Sequence, residues 1–195
     1  MKKLFLLFTL LLFTFNSYSQ DSKFYLGLGA GLATIGGDVN DGDAYKMGLH
    51  INFLNTGYRF NETWGLTVNL GSAGHPIDGS DSAFGIGAFS AGPMISFPTG
   101  NLTWDLKPQY AFSMAGVWRG DEIKELGFED VTMRGSGFII GNSLVMKAEK
   151  GFTWSVDFDL LFGGFDEIET MGITISQDKE SYTSLRLGAG IRYNF

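Results

Sequence analysis

The stretch Leu185–Phe195 (LRLGAGIRYNF) alternates between apolar residues and polar or small residues over its whole length. Successive side chains of an extended strand point to opposite faces, so each set occupies one face. The apolar face consists of Leu185, Leu187, Ala189, Ile191, Tyr193 and Phe195. The other face consists of Arg186, Gly188, Gly190, Arg192 and Asn194. The stretch is therefore predicted to be a two-faced β-strand that ends on an aromatic residue.

The same period-two alternation recurs upstream and predicts an all-β fold. In chain order the eight predicted strands are Lys23–Leu32, Tyr45–Phe60, Trp64–Gly71, Phe84–Phe97, Leu102–Met114, Gly137–Met146, Phe152–Phe162 and Ser181–Phe195. Strands of this kind, joined in sequence, predict an antiparallel up-and-down β-barrel.

Two of the predicted strands contain an irregularity. In the second, one extra residue near Leu54–Thr56, a β-bulge, is needed to return Tyr58 and Phe60 to the apolar face. In the fourth, Phe84–Ala88 begins with apolar residues on the outer parity, but the later aromatic residues have the opposite parity. Pro93 within that strand predicts a bulge or a misplaced strand end.

The connections between the predicted strands alternate in length. The long ones are Ala33–Ala44, Ser72–Ala83, Gly116–Ser136 and Gly164–Glu180, and the short ones are Asn61–Thr63, Pro98–Asn101 and Lys147–Gly151. Transmembrane β-barrels show this asymmetry, because their periplasmic turns are short and their extracellular loops are long. An even number of strands also places both termini on the short-turn side. Exposed aromatic residues in the long acidic loop, Trp118 and Phe128, hint at a protein-binding tip.

Alternation alone does not separate a membrane barrel from a soluble lipocalin-type barrel with an apolar interior. Here the apolar face carries large aromatic residues near both strand ends, as amphipathic rings do at the two boundaries of a membrane. The lumen of an eight-stranded barrel has no room for so many rings. We therefore expect side chains such as Trp104, Phe158 and Tyr193 to face lipid.

The N-terminal residues have the layout of a secretory signal peptide. Lys2 and Lys3 precede the uncharged run Leu4–Phe15, and the small residues Ser17 and Ser19 follow. The run is about 12 residues long, too short to cross a bilayer core of roughly 30 Å as a helix. We expect residues 1–19 to be removed and residues 20–195 to form the barrel domain.

The composition restricts the classes of partner and site. The formal net charge is −7, which argues against nucleic acid as a partner. The chain has no cysteine, which excludes disulfides and lipid attachment at a cysteine. The segment Asp38–Asp43 (DVNDGD) does not have the EF-hand spacing, and we expect it to be a solvated acidic turn.

The chain resembles the small eight-stranded outer-membrane barrels of the OmpA/OmpX type, in particular the outer-membrane β-barrel domain common in Bacteroidetes. The resemblance covers about residues 23–195 and rests on the architecture, on Gly57–Gly65 (GYRFNETWG) and on the closing strand. Within that strand, Gly190, Tyr193 and Phe195 match the signal that the barrel-insertion machinery reads.

This resemblance implies an integral outer-membrane protein with both termini in the periplasm. The expected partners are outer-membrane lipid, lipopolysaccharide and, during biogenesis, the barrel-assembly machinery. We also expect a monomer that holds no cofactor and no metal.

Charged residues on the inner face are the candidate functional residues. They are Lys46, His50, Arg59, Asp105, Lys107, Asp157, Asp159, Arg186 and Arg192. Unpaired charges in so narrow an interior would be costly, so we expect a mutually paired network that fills the lumen. A gated ion path through the same residues is the alternative.

Enzyme chemistry has little support in the sequence. Some eight-stranded outer-membrane barrels modify lipid A with a histidine and a serine two residues later, but His75 is followed by Pro76 and Ile77. His75 lies near Asp78 and Asp81, so a triad is conceivable, but a surface-loop histidine is the preferred interpretation. The sequence therefore predicts a non-enzymatic envelope-structural or surface-binding barrel. A lipid A enzyme and a narrow channel are the alternatives.

Overall fold

The computed structural model describes residues 23–40, 45, 47–79, 82–119, 131–146, 151–170 and 173–195, and these form a closed β-barrel. The eight strands are β1 (Phe24–Ala33), β2 (Gly48–Arg59), β3 (Trp64–Pro76), β4 (Ala83–Thr99), β5 (Leu102–Arg119), β6 (Val131–Met146), β7 (Gly151–Thr170) and β8 (Ile173–Asn194). Each strand pairs antiparallel with the next, and β8 pairs with β1. The predicted up-and-down barrel is confirmed, whereas the predicted signal peptide lies outside the described residues.

Between β1 and β2, Asp38–Asn40 forms a short 3-10 helix. Among the described residues, no helix has the length and hydropathy needed to cross a bilayer.

The predicted bulge in β2 is present one position earlier than expected. Asn52 pairs with Gly71 and Leu54 pairs with Leu70, so Phe53 is the extra residue. Beyond it the two faces exchange parity, which turns Asn55 inward and leaves Phe60 exposed. One inserted residue thus keeps the apolar face continuous along the whole strand.

The prediction of a bulge or a misplaced strand end at Pro93 was wrong, because β4 continues through this residue to Thr99. The register between β3 and β4 runs without a shift through Leu66↔Pro93. The ladder between β4 and β5 passes from Ala91↔Tyr110 to Ile95↔Leu106 without pairs between them. Proline has no N–H to donate, so it fits where this ladder is already interrupted. The extra residue lies instead on β5, between Ala111 and Met114.

The last hairpin is much longer than the sequence indicated. Residues Gly164–Glu180 were expected to form a loop, but β7 and β8 stay paired as far as Thr170↔Ile173. The predicted loop Ser72–Ala83 is likewise shortened, because β3 extends to Pro76 and β4 begins at Ala83. A strand end that projects into water can be polar on both faces, so the alternation of apolar and polar residues does not show that the strand continues there.

The outer face of the barrel is apolar, as predicted. Trp104, Phe158 and Tyr193 expose 44%, 41% and 40% of their surface. Rings pack together at the short-turn end of the barrel, with Phe97 stacked on Trp104 at a centroid distance of 5.1 Å. Such a belt is typical of the boundary between lipid tails and water.

The apolar start of β4 was assigned to the wrong face. Phe84, Ile86 and Ala88 point into the lumen and are buried, whereas Phe89 and Phe97 are exposed. Because β4 pairs with β3 without a register shift, its later aromatic residues fix the parity of the whole strand. The long-loop half of the lumen therefore has an apolar core rather than a polar one.

Candidate functional site

The interior of the short-turn half is organised around Arg192 on β8, a fully buried guanidinium. Its Nη1 lies 3.0 Å from Oδ2 of Asp105, and its Nη2 lies 3.2 Å from Oδ1 of Asp157. Its Cζ sits 4.7 Å from the ring centroid of Tyr25, a cation–π distance. Arg192 thus joins β8 to β5, β7 and β1 across the lumen.

The carboxylates of Asp105 and Asp157 each lie near a second cation and accept hydrogen bonds from serine hydroxyls. Nη2 of Arg59 lies 3.1 Å from Oδ2 of Asp105, and the Ser96 hydroxyl donates to Oδ1 of Asp105 at 2.7 Å. Nζ of Lys107 lies 3.9 Å from Oδ1 of Asp157. Asp157 also accepts hydrogen bonds from the hydroxyls of Ser155 and Ser143. Paired and hydrogen-bonded in this way, the buried charges are tolerated in a narrow lumen.

Glycines on the inner face make room for these side chains. A Cβ at Gly27 would lie 2.8 Å from Cγ of Arg192, and one at Gly190 would lie 3.0 Å from Oδ2 of Asp157. Gly190, part of the predicted assembly signal, therefore also makes room for the interior network. The structure places Tyr193 and Phe195 on the outer face, with their ring centroids 4.9 Å apart.

A second group of polar residues occupies the middle of the lumen. It contains His50 on β2, Asp159 on β7 and Arg186 on β8, and Asp159 and Arg186 are direct cross-strand partners. Nearby, Gln109 Oε1 accepts hydrogen bonds from Asn69 Nδ2 at 2.8 Å and from the Ser90 hydroxyl at 2.6 Å. Lys46, the remaining predicted interior residue, lies outside the described residues.

The long-loop end of the lumen is closed by packed rings. The Phe84 ring lies 5.4 Å from those of Tyr45 and Trp118 and 6.4 Å from that of Phe165. Trp118 Nε1 donates a hydrogen bond to the Tyr45 hydroxyl at 2.5 Å. Trp118 was expected at an exposed loop tip, but it is half-buried in this cluster, and Phe128 lies outside the described residues. Burial raises the pKa of Tyr45 above its ordinary value.

The segment after β1 crosses this end of the barrel. Its Val39 is buried in the apolar cluster. The Ser181 N–H donates to Oδ2 of Asp38 at 3.0 Å, and the Asp38 N–H donates to Ser181 Oγ at 3.1 Å. The hydrogen bonds from Ser181 lower the pKa of Asp38. Asp38 thus anchors the segment to β8, whereas residues 41–43 of the acidic motif lie outside the described residues.

The histidine of the conceivable triad is not on a surface loop. His75 is completely buried near the end of β3, opposite Phe84. The expectation failed because β3 continues beyond the predicted loop boundary at Ser72. Asp81 lies outside the described residues. Within the described part of the chain, no group of three or more acidic, histidine or cysteine side chains could hold a metal.

Sequence reasoning missed two interior residues that the structure makes central. Tyr25 stacks against Arg192, and its hydroxyl lies 3.4 Å from both Asn55 Oδ1 and Thr67 Oγ1. Gln109 bridges β3 and β4. Both lie on the polar parity of their strands, so parity was the signal that could have identified them.

Comparison with known proteins shows the fold. No family model and no curated protein sequence matches this chain. The structure is similar to neisserial surface protein A, with 15% identity, a TM-score of 0.60, and coverage of 88% of this chain and 97% of that chain. It is also similar to Ail, the attachment invasion locus protein of Yersinia pestis, in its complex with the heparin analogue sucrose octasulfate. There the identity is 14%, the TM-score is 0.53, and 89% of this chain and 99% of that chain are covered.

Proposed function

We propose that this chain is an integral protein of a bacterial outer membrane that binds partners at its extracellular surface and catalyses no reaction. Both termini then lie in the periplasm, and the chain acts as a monomer. The proposal is carried by one contrast between the inside and the outside of the barrel. Packed side chains occupy both ends of the described lumen, whereas β7 and β8 project beyond the lipid-facing band.

The packing of the described lumen leads us to expect that the barrel does not conduct ions. The Arg192 network fills the periplasmic half, and the ring cluster around Phe84 fills the extracellular half. The cavities between them that are lined by His50, Asp159 and Arg186 each have room for about one or two water molecules. This supports a structural or binding role over a channel. Electrical recordings from reconstituted protein test it, and steady unit currents would contradict it.

The projecting hairpin is the proposed binding element. The ladder between β7 and β8 continues from Phe162↔Thr183, where the exposed Phe162 ring still faces lipid, to Thr170↔Ile173 at the tip. At about 3.3 Å per residue this part of β7 is about 26 Å long. A tilt of about 45° leaves roughly 19 Å of height above the lipid-facing band. Ile173 and Ile175, near its tip, expose 62% and 55% of their surface to water.

The charge of this hairpin indicates the kind of partner. We call this hairpin, together with the start of β6 that pairs with it, the projecting sheet. Its described acidic residues are Asp166, Glu167, Glu169, Asp178 and Glu180, and the basic residues beside them are Arg134 and Lys179. An acidic surface beside two exposed isoleucines favours a partner with basic and apolar groups. It disfavours a sulfated polyanion of the kind in the Ail complex. The proposed partner is therefore an extended basic polypeptide.

The test compares two probes on the full-length protein in micelles. A lysine-rich peptide with alternating apolar residues is expected to bind, more weakly in high salt, and sucrose octasulfate is not. Replacing Glu167 and Glu169 with lysine should reverse the preference. Gln109→Asn, a change inside the barrel, is the control. Equal binding of both probes, or binding that survives the charge reversal, would contradict the proposal.

The enzyme alternative is tested separately. Mass spectrometry of lipid A from cells with and without the gene should show no difference. A modified lipid A that depends on the gene would establish an enzyme instead.

A further inference from the structure

A small polar chamber lies in the middle of the barrel, between the Arg192 network and the ring cluster. His50, Asn52, Asn69, Gln109, Asp159 and Arg186 contribute to its wall. None of the contacts that close either end of the lumen involves Arg186. The chamber is therefore a separate feature of the interior.

The guanidinium of Arg186 lines this chamber and has hydrogen-bond donors without a partner in the part of the chain that the structure describes. The residue is 4% exposed, and its Nε and Nη2 have no hydrogen-bond partner among the described residues. These two nitrogens form one edge of the guanidinium, and this edge commonly donates two parallel hydrogen bonds to a pair of acceptors. A buried donor without an acceptor costs about 1–3 kcal/mol, and more when charged. The edge therefore requires an acceptor inside the chamber.

The same wall carries an unused acceptor. Nδ2 of Asn69 is occupied by Gln109, but Oδ1 of Asn69 is buried and has no donor among the described residues. A halide could accept from Arg186 but could not donate to Asn69, and the Asp157 and Asp159 carboxylates nearby would repel it. An ammonium ion could donate but not accept. Water does both.

We propose that the chamber is a binding site for ordered water, held between the Nε–Nη2 edge of Arg186 and Oδ1 of Asn69. The space accommodates one or two molecules, which matches the number of unused groups. The bound water accepts hydrogen bonds from the two N–H groups of Arg186 that otherwise have no acceptor among the described residues. Arg186 itself lies opposite Asp159 in the ladder between β7 and β8. This inference does not depend on the proposed binding function, because it concerns only the interior of the barrel.

A crystal structure of the full chain, grown with bromide in place of chloride, tests the site. The expected result is a peak without anomalous signal, within hydrogen-bond distance of Arg186 and Asn69. An anomalous peak would identify a halide and overturn the proposal. So would a chamber without density in which Arg186 bonds directly to Asp159.

A solution measurement gives an independent result. In micelles, the Nε proton of Arg186 should show a nuclear Overhauser effect to water in the wild-type protein. In Asn69→Leu this effect should be lost, while the side-chain resonances of Arg192 stay in place. An Arg186 proton that shows no contact with water in the wild type would overturn the proposal, whether or not the variant folds.

Discussion

Replacing Arg192 with methionine removes the charge at the centre of the interior network but keeps most of the side-chain volume. The change takes one cation from Asp105 and one from Asp157, and it ends the contact with the Tyr25 ring. Breaking a buried ion pair costs about 3–5 kcal/mol. A cation–π contact without water contributes about 2 kcal/mol more. Arg59 and Lys107 still neutralise the two carboxylates in part, so we expect a loss of about 3–5 kcal/mol in total.

The matched control is Arg134→Met, which breaks the exposed pair between Arg134 and Glu169 on the projecting sheet. Exposed pairs contribute about 0–1 kcal/mol, so this variant should remain close to the wild type. The free energy of unfolding is measured by urea titration of the folded barrel in lipid vesicles, followed by tryptophan fluorescence. Equal effects of the two variants would refute the reasoning. So would an Arg192→Met barrel of normal stability that conducts several times more current.

Three further predictions concern other parts of the barrel. Phe195→Ala should reduce the amount of protein inserted into outer membranes in cells, measured by heat-modifiable migration, whereas Phe112→Ala on the same outer face should not; equal yields would contradict an assembly role. Phe84→Ala should lower the free energy of unfolding by about 3–5 kcal/mol, because it opens a cavity in the ring cluster, and an unchanged urea midpoint would argue against that packing. Hydrogen bonds from Ser181 lower the pKa of Asp38 in the folded protein. The stabilisation that the Asp38 carboxylate gives to the segment after β1 should therefore be complete above about pH 4 and disappear as the pH falls through this lowered pKa. Loss of the contact between Asp38 and Ser181 at low pH is expected to change the tryptophan fluorescence, because Val39 packs in the cluster that Trp118 borders. Asp38→Asn should remove this acid-induced change, and a change that persists would exclude Asp38 as its cause.

The lipid-facing pattern could be predicted from the sequence because each position on that face must be apolar, independently of the residues around it. Leu187 must be apolar whatever its neighbours are, since it faces lipid tails. The bulge at Phe53 could be inferred for the same reason, because only an extra residue restores the pattern. Both features are local, so the alternation of apolar and polar residues along one strand is enough to predict them.

The interior contacts could not be predicted, because they depend on the stagger between strands that are distant in sequence. Asp105 and Arg192 are 87 positions apart, and no local pattern shows that they meet. The start of β4 is a related case. Its apolar residues fit either a lipid-facing or a packed luminal position, so hydrophobicity alone could not place Phe84. The projecting ends of β7 and β8 were missed because water accepts polar residues on both faces.

Accessibility of single spin labels tests the central claim most directly, and the absence of native cysteines makes it simple. A label at Phe158→Cys should collide readily with oxygen, which concentrates in lipid, and rarely with a water-soluble nickel chelate. A label at Gln109→Cys, on the inner face, should be shielded from both reagents. A Phe158→Cys label that meets nickel more often than oxygen would contradict the account.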